Sequence, residues 1–99
     1  MNILVIILCV HKKTITDSQV SYQKLFKNFP HVNPIYTINN KQEIIKYLKS
    51  GDISGIILGG SESRVLQKQR VDVPDEIFQS NVPILGICYG FQLMIEKNV

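Results

Sequence analysis

Residues 82–94 read Val-Pro-Ile-Leu-Gly-Ile-Cys-Tyr-Gly-Phe-Gln-Leu-Met, and they are the most informative segment of the chain. The apolar run over 83–87 predicts a buried strand, and residues 89–97 predict a helix that follows it directly. Cys88 lies between them, on a sharp strand-to-helix turn. Such a turn pushes a side chain clear of the sheet and holds its backbone in a strained conformation.

The turn has the residue types that an exposed nucleophile requires. Gly86 and Gly90 stand two positions either side of Cys88, where the turn leaves no room for a side chain. The cysteine sulfur would lie at the positive end of a helix, which favours thiolate over thiol. The N–H of Tyr89 would then point toward an oxyanion formed by attack. The alternative is that Cys88 is a small buried hydrophobe, as free cysteines commonly are.

Upstream of this turn, strands alternate with helices. Three more strands are predicted, at residues 3–10, 35–38 and 55–58. Alternation of this kind indicates a parallel sheet with helices on both faces. We therefore predict an α/β fold of the flavodoxin-like, three-layer type, with four parallel strands ordered 2-1-3-4.

The first helix is predicted from one apolar stripe. Its members fall at i, i+3, i+4 and i+7: Tyr22, Leu25, Phe26 and Phe29. Such spacing is typical of an amphipathic helix. Asp17 or Ser18 is expected to cap its start, and Pro30 to end it.

Two further helices are predicted from their end signals. Asn40 and Glu43 resemble a capping box, and Gly51 lies where a left-handed C-cap belongs. Pro74 suits the first turn of a short helix that ends near Ser80.

A second glycine pair follows the third strand. Gly59 and Gly60 would lie at the carboxyl edge of the sheet, where open parallel sheets bind ligands. Two glycines let the backbone approach a substrate closely and aim an N–H at a developing negative charge. Taken alone, the pair is better explained as a simple turn, and its position upstream of the Cys88 turn is what favours a role at the site.

Composition excludes several classes of function. Ninety-nine residues make one domain at most, and the net charge of +3 is only mildly basic. The densest basic cluster, residues 68–70, has no aromatic residues among its cations, so we expect no nucleic-acid binding.

The apolar opening and the cysteine count bear on location. The apolar run over 3–10 is too short to span a membrane and lacks the flanks of a signal peptide. Two cysteines make no disulfide framework, which indicates a reducing, cytoplasmic location. We expect neither a metal nor a cofactor.

Two segments carry a family resemblance, supported by Asp-Glu-Ile-Phe at 75–78. Gly-Ile-Ile-Leu-Gly-Gly-Ser-Glu-Ser at 55–63, followed by the stretch 82–94, resembles the class I glutamine amidotransferases. Within that family, the chain is similar to the amidotransferase part of GMP synthase, an enzyme of purine biosynthesis. The strong match covers roughly 55–95.

The resemblance implies a reaction and a set of site residues. Cys88 would attack the side-chain amide of L-glutamine, release ammonia and leave a glutamyl thioester for water to hydrolyse. Gly60 and Tyr89 would hold the oxyanion, and Gln92 would contact bound glutamine. The ammonia would pass to a synthetase of the ATP-pyrophosphatase type. On spacing alone, Gln92 reads equally well as a solvated helix residue.

The chain departs from the family pattern at three points. Leu58 and Ser61 replace a small polar residue and a proline around the double glycine. The family's catalytic histidine and its acidic partner lie well downstream of the cysteine. We therefore expect residues 1–99 to be the N-terminal half of the domain. Either a second polypeptide supplies these groups as a complementing half-domain, or the chain is a degenerate remnant without turnover. For the chain alone, the remnant is the expected form. His11 is expected at the same sheet edge as Cys88, and His31 at the opposite edge.

Two other functions compete with this reading. One is a non-catalytic module, or pseudoenzyme, that keeps a glutamine pocket without hydrolysis. The other is a cysteine hydrolase of the peptidase or chaperone families that share the nucleophile elbow. Gln92 and the double glycine favour the amidotransferases over the latter.

Overall fold

Strands and helices alternate throughout the computed structural model, which describes residues 1–8, 12–38, 40–59 and 72–97. The strands are β1 (Asn2–Ile7), β2 (Asn33–Ile38), β3 (Ile53–Leu58) and β4 (Ile84–Gly86). The helices are α1 (Lys12–Phe26), α2 (Lys41–Ser50), α3 (Glu76–Gln79) and α4 (Tyr89–Glu96). None of the described helices is long and apolar enough to cross a membrane.

The strands form one parallel sheet in the order β2-β1-β3-β4. This confirms the predicted α/β class and the predicted strand order. Because all four strands run the same way, their carboxyl ends meet at one edge. The ends of β3 and β4 are neighbours there, since Leu58 pairs with Gly86.

Helices cover the two faces of the sheet unequally. On one face α2, α3 and α4 pack against alternate strand residues around a core that includes Leu4, Ile6, Ile56 and Leu58. On the other face α1 packs against a smaller cluster centred on Val5 and Ile7. Burying each such aliphatic side chain stabilises the fold by about 1.5–3 kcal/mol, so the first face supplies most of the stability.

The first helix begins earlier than its sequence predicted. It starts at Lys12, so the expectation that Asp17 or Ser18 caps it is wrong, and both residues lie inside the helix. A parallel connection must return the chain to the amino edge of the sheet. At about 1.5 Å per residue, fifteen residues cover the length of a six-residue strand, whereas a helix starting at Ser18 would not.

The predicted stripe on α1 is only half correct. Tyr22 and Phe26 pack against the Val5 and Ile7 cluster. Leu25 is 49% exposed and Phe29 is 50% exposed. Phe29 lies beyond the helix end, and Leu25 is turned away because α1 contacts the sheet along a single narrow line. The helix also ends at Phe26, before Pro30.

The end signals of α2 are confirmed in most respects. The Asn40 side chain accepts a hydrogen bond from the Glu43 N–H at 3.0 Å, and Gly51 adopts the left-handed conformation at φ 76°. The capping box is not reciprocal. The Glu43 carboxylate accepts a hydrogen bond from the buried Thr37 hydroxyl at 2.9 Å instead, which ties α2 to β2.

The first and last residues of the strands differ by a few positions from the predictions. The strand predicted over 3–10 ends at Ile7, and residues 9–11 lie outside the described part of the chain. β2 and β3 begin two residues earlier than predicted, whereas β4 is limited to three residues. The short helix predicted after Pro74 is α3.

Candidate functional site

The turn between β4 and α4 holds Cys88 in a strained backbone conformation. Its φ of 52° and ψ of −111° fall in a region that residues with a side chain rarely adopt. Such conformations cost of order 1–3 kcal/mol and cluster at functional sites. Cys88 is a free thiol, and it is exposed rather than buried among aliphatic side chains. The small-hydrophobe alternative does not fit this placement.

The two glycines that flank the turn are required by space. A Cβ built on Gly86 would lie 2.9 Å from the backbone nitrogen of Phe91 and 2.7 Å from the sulfur of Met94. A Cβ built on Gly90 would overlap the Leu58 carbonyl oxygen and lie 2.7 Å from the Leu58 Cβ. Helix α4 therefore packs directly on the ends of β4 and β3.

Leu58 joins this turn to the end of β3. Its carbonyl oxygen accepts a hydrogen bond from the Ile87 N–H at 2.9 Å, one residue before Cys88. The next residue, Gly59, donates its own N–H to the Ile6 carbonyl at 2.9 Å. The Gly59 backbone and the Cys88 turn are thus neighbours at the carboxyl edge of the sheet. Sequence reasoning missed this link, because a hydrogen bond between backbone groups does not depend on the residue types that form it.

Two further predicted residues lie in the first turns of α4. Tyr89 is 1% exposed, and its side chain belongs to the larger core, which anchors the helix directly after Cys88. Gln92 is exposed, and its N–H donates to the Cys88 carbonyl at 3.1 Å. Its side chain therefore projects to solvent one helical turn beyond the thiol.

The described residues bring no histidine to this edge. His31 precedes β2 at the amino edge, as predicted, where its carbonyl accepts a hydrogen bond from the N-terminal amine at 3.2 Å. Gly60 and His11 lie outside the described residues. Within 1–8, 12–38, 40–59 and 72–97, no group of three His, Cys, Asp or Glu side chains is arranged to hold a metal ion.

A cleft of about 400 Å³ lies away from this turn. It opens on the face that α1 covers, between Phe26, Ile57 and Leu85. Apart from Ser54, its lining side chains are apolar. Such a lining offers few partners to a polar amino acid, so the candidate site remains the Cys88 edge and not this cleft.

Comparison with known proteins finds one family. The family model for glutamine amidotransferase class-I matches residues 13–99. A GMP synthase [glutamine-hydrolyzing] from Borreliella burgdorferi strain B31 is 46% identical over 52 residues. The corresponding Lactobacillus delbrueckii subsp. bulgaricus protein, strain ATCC BAA-365, is 51% identical over 43 residues. A probable GMP synthase [glutamine-hydrolyzing] from Caenorhabditis elegans is 41% identical over 51 residues.

These matches cover about half of the chain but little of each relative. The Borreliella alignment covers 52% of this chain and 10% of the relative. The Lactobacillus alignment covers 43% and 8%, and the Caenorhabditis alignment 52% and 7%. The chain therefore corresponds to a small part of the length of these relatives.

Proposed function

The chain belongs to the class I glutamine amidotransferase family, and on that premise we propose that it presents the cysteine nucleophile of a GMP synthase-type glutaminase. One observation carries the proposal. Cys88 is exposed at a turn between a strand and a helix, with a strained backbone of positive φ, at the carboxyl edge of a parallel sheet. A turn of that shape is the nucleophile elbow of cysteine and serine hydrolases.

The reaction proceeds through two acyl transfers. The Cys88 thiolate attacks the side-chain amide carbon of L-glutamine and forms a tetrahedral oxyanion. The backbone N–H groups of Gly60 and Tyr89 stabilise that oxyanion. Collapse of the intermediate breaks the C–N bond, and the nitrogen takes up a proton and leaves as ammonia. Water then cleaves the glutamyl thioester to glutamate and regenerates the thiol.

Substrate binding uses the same edge of the sheet. Gln92, exposed one turn beyond Cys88, contacts the bound glutamine, while Gly59 lets the backbone approach it. Gly86 and Gly90 contribute by allowing the close packing that holds the turn. These roles are supported by the family match and by the spacing of the residues. Gly60 lies outside the described residues, so its role is supported by the family match alone.

A base and proton donor must complete this chemistry. The 99 residues contain only His11 and His31, and His31 lies at the far edge of the sheet. We therefore assign residues 1–99 the role of a nucleophile-bearing half-domain that works with a histidine and a glutamate from outside these residues. Alone it turns glutamine over negligibly, since loss of one member of such a catalytic unit costs several orders of magnitude.

The released ammonia needs an acceptor. The relatives are named as glutamine-hydrolyzing GMP synthases, which supports a synthetase as the acceptor. Its ATP-pyrophosphatase type is proposed from the family resemblance, and its cytoplasmic location from the absence of a disulfide framework among the two cysteines. The competing peptidase and chaperone hydrolases share the elbow but not the family match over 13–99.

Covalent labelling tests the nucleophile. The diazoketone analogue of L-glutamine is expected to alkylate Cys88 of the 99-residue chain, with the modified peptide located by mass spectrometry. Cys9→Ala serves as the matched control and keeps the label, whereas Cys88→Ser loses it. Equal labelling by the D-enantiomer, or modification of Cys9 instead, would contradict a formed glutamine site.

Ammonia release tests the half-domain assignment. The purified chain is expected to release no more ammonia from glutamine than Cys88→Ser does. Turnover by the chain alone would defeat the assignment, and its loss in His11→Ala would then identify the base. Stoichiometric glutamine binding without any analogue labelling would favour the non-catalytic module.

A further inference from the structure

Tyr22 reaches the end of β3 from the face of the sheet opposite α4. It is a half-buried residue of α1, which packs on the Val5 and Ile7 cluster, whereas α4 packs on the other face. A Cβ built on Gly59 would lie 2.9 Å from the Tyr22 hydroxyl oxygen and 3.6 Å from the ring carbon Cε2. The Tyr22 side chain therefore fills the space that a side chain at position 59 would need.

Contacts on three sides set the position of Gly59. Its N–H donates to the Ile6 carbonyl at 2.9 Å, which holds it to β1. The preceding carbonyl, that of Leu58, accepts the Ile87 N–H at 2.9 Å and holds it to the Cys88 turn. The Tyr22 hydroxyl is the side-chain contact of the three. Removing it leaves Gly59 held by these backbone hydrogen bonds, with free volume on the side that Tyr22 occupied.

We infer that Tyr22 is a positioning residue for the Gly59 backbone, setting the distance between Gly59 and the Cys88 turn. Its bearing on glutamine chemistry rests on the function proposed above. The physical reason is that oxyanion stabilisation depends on donors fixed in advance at the right distance. Displacement of a catalytic group by about 1 Å can cost on the order of a hundredfold in rate.

The first test compares two labelling rates. The rate of Cys88 alkylation by the diazoketone glutamine analogue is divided by the rate with iodoacetamide, so that the ratio reports the pocket and not the thiol. Tyr22→Leu is expected to lower this ratio about tenfold, and Tyr22→Phe about threefold because the ring remains. Phe26→Leu, one turn along α1 in the same cluster, is the matched control and leaves the ratio within about twofold.

The second test does not depend on glutamine. Amide hydrogen exchange, followed residue by residue, is expected to speed up at Gly59 in Tyr22→Leu by about tenfold. The amides of Val5 and Ile7 should keep their wild-type protection. Phe26→Leu should leave the Gly59 amide unchanged.

The outcomes separate the two proposals. If the wild-type chain resists the analogue while Gly59 exchange responds to Tyr22→Leu, the proposed glutaminase site fails and the positioning role stands. If labelling ratio and Gly59 exchange are both unchanged in Tyr22→Leu, the positioning role is overturned. An equal loss in Phe26→Leu also overturns it, since the effect would then be general destabilisation of α1.

Discussion

At the residue scale, the thiol of Cys88 and the strain of its backbone are separable. The φ of 52° is imposed by the turn and would suit glycine better than any residue with a Cβ. The molecule therefore accepts a conformational cost at this position in order to present a side chain there.

Replacement of Cys88 by glycine is predicted to stabilise the fold. Cys88→Gly relieves the backbone strain, although glycine loses more chain entropy on folding. The net gain in the free energy of unfolding over Cys88→Ala should be about 1 kcal/mol. Both variants lack the thiol, so the difference between their free energies of unfolding in urea reports the backbone strain alone. Equal stability of the two would show that the turn is not strained.

Gly90 is predicted to be the least replaceable of the glycines at the turn. Gly90→Ala places a methyl group against the Leu58 carbonyl, a backbone atom that cannot move without breaking its bond to Ile87. We expect a loss of more than about 2 kcal/mol in urea denaturation.

Gly51→Ala is the matched control for that variant. Gly51 also has a positive φ, but a Cβ there would meet nothing within 4 Å. Its cost should be about 1 kcal/mol, which is the cost of placing a residue with a side chain in the left-handed conformation. If Gly51→Ala proved as costly as Gly90→Ala, space at the turn would not be the cause.

At the scale of elements, one lysine ties the end of α4 to the segment before α3. The Lys97 ammonium donates to an Asp75 carboxylate oxygen at 2.9 Å and lies 3.2 Å from one of Asp72. It also lies 5.8 Å from the centroid of the Phe78 ring. The hydrogen bond and charge of Lys97 lower the pKa of Asp75, and the same hydrogen bond raises the pKa of Lys97.

The stability contributed by this cluster is predicted to fall at both extremes of pH. A lowered carboxyl pKa contributes above the ordinary value of 3.8 and is lost as pH falls through the folded-state pKa of Asp75. A raised ammonium pKa contributes below 10.5 and is lost as pH rises through the folded-state pKa of Lys97. In Lys97→Met, Tm should fall less than in the wild-type chain both at low pH and at high pH.

The effect is expected to be small, because Asp75 is exposed and such pairs are screened by salt. Lys46→Met, an exposed position on α2, is the matched control and should leave the fall in Tm at both extremes of pH unchanged. Persistence of the wild-type profile in Lys97→Met would assign the pH dependence to other groups.

At the scale of the whole molecule, the sheet is covered unevenly. Among the described elements only α1 packs on the Val5 face, and β4 pairs only with β3. Leu85 on β4 is consequently 58% exposed beside the apolar cleft. An exposed apolar face next to an unpaired strand edge favours association between chains.

The 99-residue chain is therefore predicted to self-associate as its concentration rises. Leu85→Lys should shift sedimentation profiles toward monomer, because a charge on this face must stay hydrated. Leu25→Lys is the matched control, since Leu25 is 49% exposed on α1 but does not line the cleft. A wild-type chain that sediments as a monomer at all concentrations would contradict the prediction.

The site was predictable only as far as its determinants are local. The residue types around Cys88 indicated a tight strand-to-helix turn, and for Gly86 the reason is local, since a Cβ there would meet Phe91 and Met94. The partner that needs Gly90 to be glycine is Leu58, thirty-two residues earlier, and no pattern in the sequence joins the two. The Tyr22 contact with Gly59 was missed for the same reason, since Tyr22 reads only as one apolar residue of a helical stripe.

The order of strands and helices, the ends of α2 and the turn at Cys88 follow from residue types alone, because each depends on backbone preferences within a few residues. Tertiary structure alone decided where α1 begins, which of its apolar residues are buried, and how Leu58 and Tyr22 bring the β3 end against the Cys88 turn. Those features depend on the length of the sheet and on contacts between residues far apart in the chain, which only packing in three dimensions specifies.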